Sequence, residues 1–441
     1  MPTNSHRLNR STPRQDTHPW RTFFGISSFE VLAMFRRGLF YAYLSVYLRH
    51  FLGLSVTETT LFATLPMLLN ILFQTFCWGP LSDRWQRRRS LIITGEILAS
   101  FGTLAVWYAH RLPENARTIG YVIIVGLSLV EIFWSMSNVG WSALISDLYG
   151  AGDRTAIQGR LASIGGLGRI AGAWMGGMFY DGAGRYYNGW GFEHGALFFI
   201  AAAVMLLSVI PMLMVPEGGM GRAEKGRGSS ESGLAAASAT RIFMIFLIAM
   251  VLINFGRNSI ALIVSQYLMI ESGLGVSSMV LSHVFNTQSA AMVFTGLVAG
   301  WMGRRFGDGP SLILGSGVGI VALTVFAFTL DLRLVYLAQF LRGFADVAIM
   351  ASSYTFASTL MPPVRRARLF ALFNATFFLS WGVAGTLMAG PLTDMLMGRG
   401  FSDVFAYRMA FAAAAVMSLA GVVLLVFLLY MILPRARAAA L

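Results

Sequence analysis

Ten ionisable side chains fall inside long apolar runs of this sequence: Glu30, Arg36, Arg37, Glu96, Glu131, Arg169, Arg257, His283, Arg342 and Asp346. A charge isolated in hydrocarbon costs about 3 kcal/mol or more, so each should face a partner or a water-filled cavity. Arg37 and Arg257 stand apart by position. The strings FRRGLFYAYLSVYL and FGRNSIALIVSQYL, displaced by 220 residues (257 against 37), set them at equivalent depths of two separate runs. A guanidinium offers a planar fork of N–H donors that meets a carboxylate or phosphate through two bonds at once. Two forks straddling a cavity would grip an anionic solute. A structural reading stands beside it: Glu131 and Asp346 could neutralise Arg37 and Arg257 as ion pairs. Glu30 and Glu96 suit proton-carrying carboxylates, or carboxylates that only pack between helices. Arg342 and Asp346 lie four residues apart on one helical face and could neutralise each other.

Such residues need long helices to hold them, and the composition provides these. The chain has 441 residues, 56% hydrophobic and only 12% charged, whereas soluble domains carry about 25% charged residues. Runs long enough to cross a hydrocarbon core of about 30 Å begin near residue 24 and continue to about 433. In the first half they occupy 24–48, 59–78, 91–109, 119–145, 158–180 and 195–215. In the second half they occupy 242–270, 277–302, 311–329, 334–361, 369–397 and 404–433. The expected fold is all-α and polytopic: twelve transmembrane helices in two six-helix bundles.

Of 33 Lys and Arg, 21 fall in the tails and the loops of one face (Arg160, at the edge of its run, among them), 7 in the loops of the other (with Arg408, likewise at an edge) and five deep inside the runs. Basic loops resist translocation, so the bias predicts both termini in the cytoplasm. It also turns the net charge of +13 into a matter of topology rather than a nucleic-acid footprint. The expected division is a cytoplasmic tail at 1–23, bundles at 24–215 and 241–434, a Gly/Ser-rich cytoplasmic linker at 216–240, and a C-terminal tail at 435–441. Residues 1–20 have no signal-peptide pattern. The single cysteine, Cys77, excludes an internal disulfide and a thiolate metal cluster.

The halves repeat each other. YLRHFLGLSVTETTL from Tyr47 aligns with YLMIESGLGVSSMVL from Tyr267, GPLSDRWQRRR from Gly79 with GLVAGWMGRRF from Gly296, and GAWMGGMFYD (172–181) with GTLMAGPLTD (385–394). GPLSDRWQRRRSL resembles the loop signature G-x-L-x-D-R-x-G-R-R-x-x-L of the major facilitator superfamily. Gly79, Asp83, Arg84, Arg87 and Arg88 fall on its positions, and Gln86 replaces its second glycine. The resemblance implies two pseudo-symmetric bundles around a central site, and a conformational lock in which Asp83 sits at the N-terminus of a helix in the other half. Gly159, Gly168, Gly172, Gly176 and Gly177 are similar to the fifth-helix pattern of the drug–proton antiporter branch, with Ala173 where that pattern has proline.

No catalytic, nucleotide-binding or metal-ligating spacing is found, so no enzyme activity and no cofactor is expected. The expected function is secondary active transport of a small molecule, first as a proton-coupled antiporter that exports an organic compound. The alternative is uptake or exchange of an anionic solute such as a phosphate ester, carboxylate or metal chelate. A transporter-like receptor or membrane assembly protein is a third reading. The expected partners are substrate, protons and lipid bilayer, and the expected location is the bacterial cytoplasmic (inner) membrane.

Overall fold

The computed structural model describes residues 19–149, 151–184, 187–218, 233–361 and 366–434. Six helical rods form the first half: α1 (Pro19–Val46, running on to Phe51), α2 (Val56–Trp85), α3 (Arg88–His110), α4 (Ala116–Leu148), α5 (Ala151–Tyr180) and α6 (Ala196–Met212). The second half has α7 (Gly233–Ser259, then a turn and Ile263–Leu268), α8 (Ser278–Phe306), α9 (Asp308–Phe328) and α10 (Leu332–Leu360). It closes with α11 (Arg366–Ala384, continuing to Gly398) and α12 (Asp403–Phe427). Eight of these rods are long and apolar enough to cross a membrane, and Ala196–Met212 is a shorter apolar one. α7 is already formed at Gly233, inside the segment expected as linker. The tails and residues 219–232 lie outside the described residues.

Ends of helices follow local chemistry. Ser55 and Glu58 form a reciprocal capping box at the start of α2, with Ser55 N–H donating to Glu58 Oε2 at 2.8 Å. The wide turns Gln74–Trp78 and Gly385–Ala389 lie just before Pro80 and Pro391, whose missing N–H groups relax the regular ladder.

The packing repeats with the sequence. In the first half α1 packs on α5 and α6, α3 on α4 and α6, and α2 on α4. In the second half α7 packs on α11 and α12, α9 on α10 and α12, and α8 on α10. Between halves, α5 meets α8 and α2 meets α11. The fifth-helix glycines make the α1–α5 contact possible. A Cβ on Gly168 would stand 2.2 Å from Val31 O, one on Gly172 1.9 Å from Phe35 O, and one on Gly176 2.7 Å from Leu39 O. Gly177 faces α8, where a Cβ would lie 2.8 Å from Ser278 O. Gly159 is helical, and its surroundings lie outside the described side chains.

The hydrogen bonds that join the halves gather at the end away from the arginine-rich loops. Val56 N–H and Thr57 N–H, at the start of α2, donate to Asp394 Oδ1 and Oδ2, both at 2.8 Å. At the equivalent contact Ser278, the first residue of α8, donates from its hydroxyl to Asp181 at 2.5 Å. Asp181 directly follows α5 and Asp394 lies in the last turns of α11, and each caps the N-terminus of a helix in the opposite half, where unsatisfied amides and the helix dipole favour a negative charge. Between them Gln266 Nε2 donates to Ser45 Oγ and Thr59 Oγ1, both at 2.8 Å, and Thr386 donates to Thr60 at 2.8 Å. Thr64 donates to Gly382 O. This joined end is called the sealed end below.

Two outcomes follow. Gly172→Ala should lower stability by about 1–3 kcal/mol through overpacking, whereas Gly296→Ala, with nothing within 4 Å of its Cβ, should be neutral; thermal unfolding of the detergent-purified variants checks both. Asp394→Asn should weaken the seal by about 1–2 kcal/mol. Spin labels at Glu114 and Arg399, in a background without Cys77, should then report a larger population of long distances, and an unchanged distribution would reject the seal.

Candidate functional site

The buried charges of the first half sort themselves by one helical position. Arg36, not Arg37, carries the ion pair: its Nη1 donates to Glu96 Oε2 at 2.9 Å, and both side chains are buried. Glu96 Oε1 accepts from Ser137 at 2.8 Å, so the pair ties α1 to α3 and α4. The Arg36 guanidinium also lies over the Trp134 ring, 3.2 Å from its centroid. Glu131 accepts from Asn70 Nδ2 rather than from an arginine. The expected Arg37–Glu131 ion pair is therefore absent. Successive helical residues point about 100° apart, and α1 turns Arg36 into the bundle while Arg37 projects away from it.

Arg37 is exposed and makes no hydrogen bond or ion pair among the described residues. It lies within electrostatic reach of Glu30 on its own helix, Glu131 on α4 and Arg169 on α5, so it faces the interior rather than lipid. Glu30 is half-buried against α5, where a Cβ on Gly165 would lie 3.1 Å from its Oε1. Arg169 bridges to the second half, Nε donating to Ser289 Oγ and Nη2 approaching Met292 Sδ, both at 2.9 Å.

In the second half the expected Arg257–Asp346 pair forms. Arg257 Nη1 donates to Asp346 Oδ1 at 2.6 Å, and Asp346 Oδ2 accepts from Gln288 Nε2 at 2.9 Å. Arg257 Nε donates to Asn254 at 3.0 Å. Arg342, one turn from Asp346, bonds Gln339 at 3.1 Å instead, so these neighbours do not neutralise each other through a direct bond. His283 is exposed at the start of α8.

The loop motif differs from its expected arrangement. Arg88 is buried between Asp83 at 3.4 Å and Asp147 at 3.3 Å, but the Asp83 side chain is 80% exposed. Among the described residues Asp83 caps no helix of the other half. The halves are joined at the sealed end, which leaves this loop, with Arg84 and Arg87, facing solvent. Gly79 opens the last turns of α2, where a Cβ would meet Gln74 O at 2.7 Å. Gln86 holds the left-handed conformation (φ 54°) that the motif's missing glycine would adopt freely. Sequence reasoning missed Asn70 and the Asp181–Asp394 pair of caps, and it marked Trp134 only as an aromatic that could line a cavity, not as the partner of Arg36. The caps were within reach, since both aspartates end the third aligned repeat.

The pattern of the Major Facilitator Superfamily matches residues 26–385 and, in a second match, 246–440. The second begins 220 residues after the first (246 against 26), the displacement already seen between the halves. Among solved structures, the chain is similar to a bacterial homolog of the human lysosomal transporter Spinster in an inward-facing, unoccupied conformation. That similarity has 17% identity and a TM-score of 0.67, covering 94% of this chain and 96% of that one. It is also similar to the nucleoside transporter NupG, with 15% identity and a TM-score of 0.68 over 91% of this chain and 98% of that one. No curated protein matches it in sequence.

The Arg257–Asp346 pair makes a direct prediction. Asp346→Asn alone leaves a half-buried arginine without its carboxylate and should cost about 1–3 kcal/mol, less than the loss of a fully buried pair, and adding Arg257→Asn should restore much of it. A double-mutant cycle scored by thermal unfolding checks this; simple additivity would mean the pair contributes nothing as a pair.

Proposed function

This chain belongs to the Major Facilitator Superfamily, and from that premise we propose that it carries a small solute with an anionic end across the membrane by alternating access. The proposal takes the twelve rods as twelve spans, with both termini and the arginine-rich loops in the cytoplasm as the basic-residue bias requires. The sealed end is then external and the cavity opens inward. One observation carries the solute class: Arg37 is an arginine within a span that makes no hydrogen bond or ion pair among the described residues, while Arg36 and Arg257 each pair with a carboxylate and Arg169 and Arg342 each bond neutral side chains. A cation kept near the centre of a carrier without a partner is offset when the cargo brings the counter-charge. Arg257 shares its carboxylate with Gln288 and can turn to the same cargo when that pair opens.

This favours exchange or uptake of an anion over export of a neutral or cationic compound. The fifth-helix glycines do not separate the two, because close packing against α1 and α8 accounts for those described. Proton coupling has its own support. Glu131 is bound by a neutral amide, Asn70, within a span, and such a carboxylate can gain and lose a proton without breaking an ion pair.

The test is transport by reconstituted vesicles. Arg37→Gln should abolish counterflow of an anionic substrate while leaving thermal stability within about 1 kcal/mol, since no structural pair is lost. Arg37→Lys keeps the charge and loses the fork, so it should weaken binding about tenfold. Unchanged transport by Arg37→Gln would reject the anion reading.

A further inference from the structure

The two aspartates that join the halves occupy equivalent positions of the repeat, yet their contacts differ in chemistry. Asp394 accepts from two backbone amides, those of Val56 and Thr57, at 2.8 Å each. Asp181 meets a hydroxyl instead. Ser278 Oγ lies 2.5 Å from Asp181 Oδ2 and 2.7 Å from Gly177 O. Both separations are those of an O–H···O hydrogen bond, about 2.5–3.0 Å. Two such bonds need two hydrogens, and a serine hydroxyl carries one. Gly177 O can only accept, and so can an ionised carboxylate. With Asp181 ionised, Ser278 serves the carboxylate, and the Gly177 carbonyl faces a hydroxyl oxygen with no hydrogen between them. With Asp181 protonated, the carboxyl donates to Ser278 and Ser278 donates on to Gly177. Both contacts are then bonds.

The surroundings agree with this count. No Lys, Arg or His forms an ion pair with Asp181 among the described residues. Burial pushes its carboxyl above the usual carboxylate range. The titratable groups within electrostatic reach are two buried phenols, Tyr43 of α1 and Tyr180 at the end of α5. His283 of α8 is exposed, and Glu193 and Glu271, in the segments before α6 and α8, hold no bond to Asp181 among the described residues. Ala183 and Gly184 are exposed, so the carboxyl stands close to solvent at the sealed end.

We propose that Asp181 is a proton-binding site that holds the external end shut: a proton from outside joins Oδ2, and the Ser278 hydrogen turns from the carboxylate to Gly177 O. The inference deepens the transport reading above and depends on it only for the side from which the proton comes. Opening the seal would return Asp181 to water and to its ordinary acidity. The raised carboxyl belongs to the sealed form, so its contribution is fully present below the ordinary carboxylate range. It is lost as pH rises through the raised value.

Spin labels at Glu114 and Arg399, in the full-length protein without Cys77, read sealed and open populations with no substrate present. From about pH 8 to about pH 4, a range that brackets a raised carboxyl, the ratio of sealed to open should rise about threefold to tenfold, as one added hydrogen bond would make it. Asp181→Asn puts an amide N–H where the acid has its O–H, so it should keep the acidic wild-type ratio at every pH. Asp394→Asn loosens the other contact, and it should lower the ratio at every pH while keeping the dependence. If the wild type is sealed throughout, the titration of Asp394→Asn offers an equilibrium that can move, and no movement there overturns the proposal. A dependence that survives Asp181→Asn belongs to another group, first of all His50, whose Nε2 lies 2.9 Å from Gln266 O across the same seal, and overturns it too. So does an Asp181→Asn seal as loose as that of Asp394→Asn, the mark of an ionised cap. Failure of the transport reading is distinct: Arg37→Gln then transports normally while the distances still titrate.

Discussion

A charge buried in hydrocarbon must be met by another group, and that requirement organises the interior of this protein. Arg36 meets Glu96 and Trp134, and Arg257 meets Asp346. The first pair fastens α1 to α3, with Ser137 of α4 on the same carboxylate. The second fastens α7 to α10, with Gln288 of α8 joining it. In each half, then, the leading helix is pinned by an arginine to helices that follow it in the chain. Arg37, beside Arg36 on α1, makes no hydrogen bond or ion pair among the described residues.

The second constraint is the contact between halves. Two carboxylates at repeated positions cap two helix N-termini across the interface, and a band of hydroxyls and the Gln266 amide fills the space between. Helix N-termini offer amides that need acceptors whether or not the halves touch, so these caps can be exchanged for water at modest cost. A seal of that kind is strong enough to hold one arrangement and weak enough to be released. These bonds are made while the Asp83 side chain, at the other end, is 80% exposed.

The fold was readable in the sequence because its signals are long and redundant. Twelve apolar runs, a basic-residue bias and three ordered repeats all point to two related bundles, and the packing pairs repeat between halves as the strings do. The site was readable only to within one helical position. Adjacent arginines at 36 and 37 are equivalent by hydropathy and by depth; only the azimuth of α1, set by the close approach of Gly168, Gly172 and Gly176, decides which one enters the bundle. Asn70 carries no charge, so nothing in its surroundings marked it as the partner of Glu131. Asp346 was easier, since its helix is buried against Arg257 with few competing carboxylates in the same half. Asp83 shows a different limit: a motif states which contact can form, not which of two conformations is occupied.

The displacement that relates the halves also shows where they part. It places Arg37 on Arg257 and Arg36 on Gly256. Gly256 sits against α12, where a Cβ would lie 2.1 Å from Ser418 Oγ, so no side chain fits there and the second half has room for one arginine at this level. That single arginine takes the structural role that Arg36 takes in the first half, by pairing with a carboxylate. The first half, with two arginines in sequence, can pair one and keep the other. A binding cavity between such halves is asymmetric even though its scaffold is nearly symmetric.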